Sequence, residues 1–412
     1  MKILWVKAGG LVPLDSGGKI RSYNILRELA RNHAVTFFSF YAAHTNDQHP
    51  ALKNVFEQVV CTPLSLPAPK SFSEMLGYSR NVFSLKPYNL MKYCRTEARF
   101  ALDSLLRHSN FDVIVCDFLT PAPIVPWRLS IPKVIFTHNV EAVIWKRHYD
   151  VAKNPLWKAL SWREWKTMER AERTYLQKAE HVLTVSEGDR NSFLTFLDAS
   201  KLSVIPTGVD VEYFCPRPGE EIRDSLVFTG SMDWLPNEDG IFHFVEQALP
   251  HIREKTPGVS VAVVGRNPSP RLRDLASRVA NITLTGWVDD VRPHLARGSV
   301  CIVPLRIGGG TRLKIFEAMA MGKAIVSTTI GAEGLPVRDG ENIVLGDGPQ
   351  IFASRTIELL QDSVRRNSIG AAAHKLVSEN YSWERIASRF SDILDRVAGV
   401  SQSPREIGTN VK

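Results

Sequence analysis

The sequence predicts an α/β protein made of two doubly wound, Rossmann-like domains. Short apolar runs typical of buried parallel strands alternate along the chain with amphipathic segments of helical period. This alternation is interrupted at residues 206–221, where prolines and glycines are concentrated as they are in linkers. A chain of 412 residues is long enough for two domains of ordinary size.

The first half of the chain carries the strands of the predicted N-terminal domain. Apolar runs bounded by polar residues predict strands at residues 2–6, 34–40, 113–116, 133–137, 181–185 and 202–204. The first strand leads into a turn that contains Gly17 and Gly18. A helix is predicted over residues 19–32 because apolar residues recur there at helical spacing.

The second half of the chain repeats the pattern. Its predicted strands are residues 226–229, 260–264, 282–285, 300–304 and 324–327. The last helix is amphipathic, and we expect its apolar face to pack back on the first domain. The predicted bounds are residues 1–205 for the N-terminal domain, 206–221 for the linker, 222–381 for the C-terminal domain, 382–398 for the last helix and 399–412 for a tail.

Composition restricts the class of protein to which the chain can belong. Hydrophobic residues make up 44% and charged residues 23%, as in soluble globular proteins. The five cysteines are scattered and form no CxxC pair, which argues against a disulfide framework or a zinc site and fits a reducing cytoplasm. The apolar run at residues 3–6 is too short for a secretion signal, and none approaches the ~18 residues of a membrane span.

The net charge of +8 suits an anionic partner. Nucleic acid is not expected, because the sequence has no paired Cys/His finger, no aromatic RNA-binding motif and no basic tail. A phosphorylated substrate or an anionic membrane surface is the better expectation.

The most informative segment is IVPLRIGGGTRLKIFEAMAMG at residues 302–322, a strand followed by consecutive glycines and a helix. Four side chains of the helix matter for chemistry: Thr311, Arg312, Lys314 and Glu317. Glycine backbone and a helix N-terminus offer unpaired N–H donors to an anionic phosphoester, and Arg312 and Lys314 add charge. Glu317 could accept hydrogen bonds from ribose hydroxyls. The alternative is a plain packing turn, which would not require these residue types together.

In doubly wound domains, ligands bind beyond the carboxyl ends of the strands. We therefore expect the glycine turn after the first strand and the one after Pro304 to face a shared cleft.

With these motifs in order, the chain resembles the GT-B glycosyltransferases, specifically the retaining family 4 group. The resemblance is carried by the glycine segment and by THNVEA at 137–142, VSEGDR at 185–190, IPTGVD at 205–210, FTGSMDWLPNEDG at 228–240 and TGWVDD at 285–290. Within the group, the chain looks most like bacterial sugar transferases of exopolysaccharide clusters.

The resemblance implies a hexosyltransferase that moves a sugar from a nucleotide diphosphate sugar, UDP- or GDP-linked, to an acceptor hydroxyl with retention of configuration. It implies an acceptor side in the first domain, a donor side in the second, and no required metal or other cofactor. Asp289 and Asp290 are accordingly expected to be solvated charges and not metal ligands.

One departure from the family concerns its pair of glutamates. Glu317 matches the second, which binds ribose, but the first falls on Gly309. Either backbone amides of Gly309 and Gly310, with Thr311, replace the lost contact, or the site has lost activity. We favour replacement, because the charged residues of the segment would have no use in an inactive site.

A second departure is the missing Arg and Lys pair after Gly230 that many relatives use for the diphosphate. Arg312 and Lys314 are expected to take over this role in catalysis, with Arg266 as a further candidate. The remaining donor-binding candidates are Gly230, Ser231 and Asn237 in the pocket and Val288 beside the nucleobase.

In the first domain, the resemblance places His138 against the donor sugar as a catalytic residue. The alternative is a core histidine at a strand end, but Asn139 and Glu141 make a polar cluster there. Gly17 and Gly18 are expected to let the backbone approach the donor phosphates.

Two segments are candidates for the acceptor side. Residues 145–178 contain four tryptophans and nine lysines or arginines, a composition suited to a membrane interface. The tryptophans could equally pack this helix on the domain. Residues 71–99 could shape an acceptor groove or form a helical insertion. We expect a glycan or lipid-linked glycan acceptor and a cytoplasmic protein, peripheral on the inner face of the membrane.

Two rival functions share this fold. One is a sugar-nucleotide epimerase, which would convert the donor without an acceptor. The other is a catalytically silent GT-B module that binds a sugar nucleotide or scaffolds an assembly, and Gly309 is its best support.

Overall fold

The computed structural model describes residues 1–14, 16–42, 49–68, 71–307 and 313–399. The chain forms two compact units. The first comprises Met1–Pro206 together with the chain from Ile386 onward, and the second comprises Thr207–Arg385.

The first unit contains a seven-stranded parallel sheet with the order β3-β2-β1-β4-β5-β6-β7. Its strands are β1 (Lys2–Ala8), β2 (Ala34–Ala42), β3 (Gln58–Leu64), β4 (Val113–Asp117), β5 (Lys133–Phe136), β6 (His181–Thr184) and β7 (Leu202–Val204). The order reverses at β1, which defines a doubly wound sheet. The prediction missed β3, an edge strand that contains Pro63 and lacks a continuous apolar run.

Helices of the first unit cover the sheet and extend beyond its edge. They are α1 (Gly17–Leu29), α2 (His49–Leu52), α3 (Phe72–Asn81), α4 (Tyr88–Met91), α5 (Thr96–His108), α6 (Glu141–Val151), α7 (Pro155–Lys178) and α8 (Glu187–Phe193), with a 3-10 turn at Ala199–Lys201. The pair of α3 and α4 follows β3 as an insertion. Helix α1 begins at Gly17, two residues before the predicted start.

The second unit contains a six-stranded parallel sheet with the order β10-β9-β8-β11-β12-β13. Its strands are β8 (Ser225–Thr229), β9 (Ser260–Val264), β10 (Ile282–Gly286), β11 (Val300–Val303), β12 (Ala324–Ser327) and β13 (Val344–Leu345). The prediction missed β13, which is only two residues long. The predicted fold class is confirmed, because both sheets are parallel and doubly wound.

The helices of the second unit are α9 (Leu235–His243), a π-helical turn (Phe244–Ala248), α10 (Leu249–Lys255), α11 (Pro270–Arg278), α12 (Arg292–Arg297), α13 (Leu313–Ala320), α14 (Pro349–Gln361) and α15 (Ser363–Asn380). Helix α16 (Trp383–Ala398) begins in this unit and continues into the first. In the described residues, none of the helices combines the length and the apolar character that crossing a bilayer requires.

The predicted linker residues 207–221 lie within the second unit. The side chain of Val209 is buried in its core, and the backbone N–H of Val209 donates to the Tyr381 carbonyl. Gly208 fits closely under Trp383, because a Cβ there would lie 2.5 Å from the indole. These contacts attach the segment to the unit through the start of α16.

The central strands are buried on both faces, which explains why they read as continuous apolar runs. All five residues of β4 and all five of β8 are buried. In the first unit, Phe390 of α16 packs on Trp5 of β1 with ring centroids 5.4 Å apart. Burying an aromatic side chain of this size contributes about 1.5–3 kcal/mol, so α16 is an integral part of that core.

Candidate donor site and a buried charge network

In the second unit, the ends of β8 and α13 meet around the ammonium group of Lys314. Its Nζ donates a 2.7 Å hydrogen bond to Oδ1 of Asn237 and lies 4.1 Å above the ring of Phe228. The amide Nδ2 of Asn237 donates to the Ser231 carbonyl at 2.8 Å. Three side chains or groups predicted for the donor pocket are thus neighbours in the structure.

Gly230 completes this cluster through the absence of a side chain. A Cβ at Gly230 would lie 2.6 Å from Nζ of Lys314 and 2.8 Å from Nδ2 of Asn237. Real side chains do not tolerate such distances, so any larger residue would displace the ammonium group. Glycine at this strand end therefore keeps Lys314 next to the backbone.

Arg266 lies beside the same turn and is held by an acid that the sequence did not single out. Its Nε donates to Oγ of Ser231 at 2.9 Å and lies 3.7 Å from Oδ2 of Asp233. Hydrogen bonds from Ser231 and Asn267 lower the pKa of Asp233 below its ordinary value. An anionic ligand at Arg266 would compete with this carboxylate.

Glu317 lies one turn along α13 from Lys314. Burial raises the pKa of Glu317 to about 7, and the charge of Lys314 limits the rise. No residue in the described part of the chain forms a hydrogen bond with the Glu317 carboxyl group. At neutral pH this group can therefore accept hydrogen bonds from a pair of hydroxyls, as a bound ribose would require.

Val288 lies in the loop that follows β10. The side chain of Val288 packs against the core, whereas the neighbouring Trp287 is 70% exposed. Asp290 in the same loop is engaged by Arg292, with Nε and Nη2 each 2.8 Å from a carboxylate oxygen. Across the described residues, no three or more His, Cys, Asp or Glu side chains are grouped so as to hold a metal ion.

Four predicted site residues, Gly309, Gly310, Thr311 and Arg312, lie outside the described residues. Their roles at the donor phosphates stay predictions.

In the first unit, His138 follows β5 and both of its ring nitrogens have protein partners. Nε2 lies 2.7 Å from Oδ1 of Asp117, and Nη1 of Arg21 lies 3.1 Å from Nδ1. A guanidinium group only donates, so Nδ1 accepts and Nε2 carries the proton that is donated to Asp117. Burial lowers the pKa of His138 to about 4, against the opposing effect of Asp117. The imidazole is therefore neutral, with a fixed tautomer.

Asp117 is the centre of this network, at the end of β4. Besides His138, it accepts hydrogen bonds from Nζ of Lys7 at 2.8 Å, Oγ of Ser22 at 2.7 Å and Nε1 of Trp5 at 3.1 Å. Burial alone would raise its pKa, but the charge of Lys7 and the bond from His138 outweigh burial and hold the pKa well below its usual range. Asp117 is thus an ionised, fully buried carboxylate.

Two buried cations lie near Asp117, and the carboxylate of Asp189 in α8 also acts on one of them, Arg21. Lys7 and Arg21 are both buried, and burial lowers the pKa of Arg21 to about 10, which leaves it charged at neutral pH. The Nε of Arg21 is buried without a hydrogen-bond partner among the described residues. The network therefore pairs Lys7 directly with Asp117 and leaves Nε of Arg21 as an unused donor.

Gly18 has a packing role in this network. A Cβ at Gly18 would lie 2.8 Å from the ring of Phe118, which itself stacks on the His138 ring at 3.8 Å. Phe118 adopts a φ of 68°, a conformation that side chains other than glycine rarely take. The close fit of Gly18 thus accounts for its identity, while Gly17 supplies the first residue of α1.

The sequence alone did not single out Asp117, Lys7 or Arg21. Two signals were present: a lysine inside the apolar run of β1 and an aspartate closing the apolar run of β4. Adjacent parallel strands place such residues side by side, as the register of Lys7 opposite Asp117 shows.

Comparison with known proteins agrees with this architecture. A family model described as Glycosyltransferase Family 4 matches residues 16–213, and one described as Glycosyl transferases group 1 matches residues 223–362. The first match covers most of the first unit and the first few residues of the second, and the other match lies within the second unit.

Two curated mycobacterial proteins are similar in sequence. Phosphatidyl-myo-inositol mannosyltransferase of Mycobacterium tuberculosis is 31% identical over 212 residues, which cover 47% of this chain and 54% of that protein. A GDP-mannose-dependent alpha-(1-6)-phosphatidylinositol monomannoside mannosyltransferase of the same species is 27% identical over 52% of this chain and 61% of that protein. The chain spans 54% and 61% of the length of these two relatives.

Solved structures share the fold along nearly the whole chain. Sucrose-phosphate synthase from Thermosynechococcus elongatus matches with a TM-score of 0.71 at 17% identity, covering 97% of this chain and all of that one. HepE of Anabaena, solved with UDP and glucose, matches with a TM-score of 0.65 at 14% identity over 96% of this chain and all of that one. Together, the family matches and the shared fold show that the chain belongs to the GT-B glycosyltransferases of family 4.

Proposed function

We propose that the protein transfers a hexose from a nucleotide diphosphate sugar to an acceptor hydroxyl with retention of configuration, in the assembly of an exopolysaccharide or another surface glycan. The observation that carries the proposal is the cluster of Lys314, Asn237 and Gly230 beside the half-buried Glu317. It places a fixed cation and a carboxyl group one helical turn apart, as a nucleotide with ribose and phosphates requires.

Charge stabilisation is the main chemical task, because the departing nucleoside diphosphate gains negative charge. Lys314 is already oriented by Asn237 and by the ring of Phe228, so little reorganisation is needed when the charge develops. Arg312 and the glycine amides are proposed to add further donors. Arg266 is proposed as a second cation, freed from Asp233 when phosphate binds.

Glu317 is proposed to bind the ribose. Its carboxyl group lacks a partner in the described part of the chain, and a ribose diol would supply two donors. UDP- and GDP-linked sugars are the donor classes we propose, since a named relative uses GDP-mannose and a structural neighbour was solved with UDP. No metal or other cofactor is part of the proposal.

His138 is proposed to hold a sugar hydroxyl or the attacking oxygen. With a pKa near 4, its imidazole is a weak base, so we infer a hydrogen-bonding role and not proton abstraction. Nδ1 is the acceptor atom, and a substrate hydroxyl that donated to it would replace the guanidinium group of Arg21.

The acceptor is proposed to be a glycan or lipid-linked glycan taken from an anionic membrane surface on the cytoplasmic side. Helix α7 supports this, because Trp162 is 51% exposed and basic residues surround it, whereas Trp165 packs against the core. Phe83 in the preceding insertion is 96% exposed. Exposed aromatic residues beside cations suit a membrane interface.

The deciding experiment is calorimetric binding of UDP, GDP and ADP, with their common sugar conjugates, followed by product analysis with acceptor lipids. Glu317→Ala should lose the binding that the wild type shows, while Glu379→Ala, at an exposed position of α15, should keep it. Turnover of donor alone would point to an epimerase. Nucleotide binding without transfer to any acceptor would point to a silent module.

A further inference from the structure

The insertion after β3 encloses a groove in the first unit. Residues 65–68 at the carboxyl end of β3 form one side, and α3 and α4 form the others, around a volume of about 600 Å³. The apolar part of its lining includes Leu66, Leu76 and Met91. The cationic part consists of Arg80, Lys92 and Arg95.

The charges of this groove are poorly compensated. Glu74 lies 3.8 Å from Nζ of Lys92 and is the one carboxylate paired with these cations among the described residues. Arg95 donates from Nε to the Lys92 carbonyl at 3.1 Å, a bond that leaves its charge unneutralised. Arg80 forms no hydrogen bond or ion pair with any residue that the structure describes. The groove therefore has positive charge and free donors for an anion.

The groove is rigidly attached to the unit. Glu164 of α7 accepts a hydrogen bond from the backbone N–H of Tyr88 at 3.2 Å. Arg163 of α7 donates to the carbonyls of Val82 and Ser84, each at 2.9 Å. These bonds fix the backbone between α3 and α4, so the backbone that carries the cations of the groove is positioned before any ligand binds.

The floor of the groove depends on Gly77. A Cβ at Gly77 would lie 2.8 Å from the hydroxyl oxygen of Tyr88, so glycine allows the buried Tyr88 ring to pack directly under α3. Outside the groove, Phe72 of α3 is 80% exposed and Met75 is 66% exposed. An apolar path thus continues from the groove along the outer face of α3.

We propose that this groove binds the phosphate end of a lipid phosphate ester, the acceptor substrate. Arg80, Lys92 and Arg95 contact the phosphate, and Leu66, Leu76 and Met91 contact the first carbons of the chain. The rest of the chain follows the exposed apolar residues of α3. The identification of this ligand as the acceptor rests on the proposed function. Binding of the lipid phosphate to the groove requires neither a donor nor turnover.

The test is calorimetric titration of the full chain with monomeric octyl phosphate, with octanol and with inorganic phosphate, all without vesicles or nucleotide. We expect saturable binding of octyl phosphate at least about tenfold tighter than either of the other two ligands, because only it engages both parts of the groove.

Four variants locate the site. Arg80→Gln combined with Lys92→Gln should weaken octyl phosphate binding at least about tenfold, and Leu76→Asn should reduce its advantage over inorganic phosphate. Arg107→Gln, at an exposed arginine of α5, should bind as the wild type does. The single variant Arg80→Gln guards against a loss of binding that is caused by unfolding. Arg80 has no partner in the described chain, so this variant should be as stable as the wild type and should still weaken octyl phosphate binding.

Each contrary outcome overturns the proposal. Equal affinity for inorganic phosphate would show an anion site without lipid recognition, and equal affinity for octanol would show an apolar groove in which the cations have no role. Unchanged binding by the double variant would place the lipid elsewhere.

Failure of the groove and failure of the proposed function can be told apart. If octyl phosphate binds as expected but no sugar is transferred, the proposed function is wrong and the groove is still a lipid phosphate site. If transfer persists in the double variant, the groove is not the acceptor site and the proposed function is unaffected.

Discussion

The guanidinium group of Arg21 donates a 3.1 Å hydrogen bond to Nδ1 of His138, and this single contact fixes the tautomer of a buried histidine. Because Arg21 cannot accept, the other ring nitrogen must donate to Asp117. The histidine, the carboxylate and the two cations therefore behave as one network, in which removal of the Asp117 carboxylate leaves Lys7 without its partner.

We expect Asp117→Asn to lower the free energy of unfolding by about 3–5 kcal/mol at pH 7, because Lys7 would remain buried without the carboxylate that it pairs with. Chemical denaturation measures this loss, provided that the dependence of the unfolding free energy on denaturant concentration is the same for the wild type and the variant. Asp150→Asn, which breaks an exposed pair with Lys146, should change stability by less than about 1 kcal/mol. Equal effects of the two variants would show that the network does not stabilise the fold.

The pH dependence of stability should report His138. Its pKa falls from 6.5 to about 4 on folding, so the unfolded chain takes up its proton first as the pH drops. The stability that His138 contributes should be fully present above pH 6.5 and be lost between pH 6.5 and 4, with a slope of about 1.4 kcal/mol per pH unit from this group. Buried glutamates with raised pKa values, such as Glu172 at about 8, act in the opposite direction above pH 4.5, so the difference between the wild type and a His138 variant isolates the histidine. His138→Gln should reduce the slope over that window. An unchanged slope would assign the pH dependence to other groups, such as His181, whose pKa is also lowered to about 4 by burial.

The fold followed from the sequence because parallel strands buried on both faces leave continuous apolar runs. Elements without such runs were missed, as with the edge strand β3. The second-unit residues Gly230, Ser231, Asn237 and Lys314 were proposed from short motifs and lie together in the structure.

The network around Asp117 in the first unit could not be predicted from short motifs. Lys7 and Asp117 are 110 positions apart, and only strand register makes them neighbours. His138 was expected to lie against the donor sugar, and that stays a prediction. Its protein partners Arg21 and Asp117 could not be predicted, because they come from elements whose relative positions are set by the tertiary fold. The excess of cations over carboxylates in the groove beside α3 likewise depends on how the insertion folds.

We expect Lys314→Ala to lower kcat/KM for sugar transfer by roughly 100-fold, because one preorganised cation would be lost from the leaving group. Asn237→Ala should have a smaller effect of about tenfold, since it removes the bond that orients Lys314 and keeps the charge. Steady-state kinetics with the donor identified by calorimetry provide both values. Lys375→Ala, on an exposed face of α15, is the control and should match the wild type; a similar loss there would show an effect of net charge.

Binding of a nucleotide sugar should weaken as the pH falls below about 7, the pKa to which burial raises Glu317. The reason is that the ionised carboxylate accepts hydrogen bonds from both ribose hydroxyls, whereas the protonated form offers one acceptor fewer. Calorimetry between pH 6 and pH 8 tests this. Glu317→Gln should bind more weakly and lose the dependence, and an identical dependence in the variant would exclude Glu317 as its source.

Vesicle flotation should detect binding to anionic vesicles and little binding to neutral ones, and raised salt should weaken it because the basic residues of α7 act through screened charges. Phe83→Ser combined with Trp162→Ser should reduce the bound fraction several-fold at constant charge, since it removes two exposed aromatic side chains. Val364→Ser removes an apolar residue of α15, in the second unit, that is 79% exposed, and it should have no effect. Equal loss in both variants would mean that apolar exposure in general, and not the surface formed by α7 and the segment it anchors, governs attachment. No flotation of the wild type on anionic vesicles would remove the membrane from the proposed function and leave the acceptor to arrive from solution.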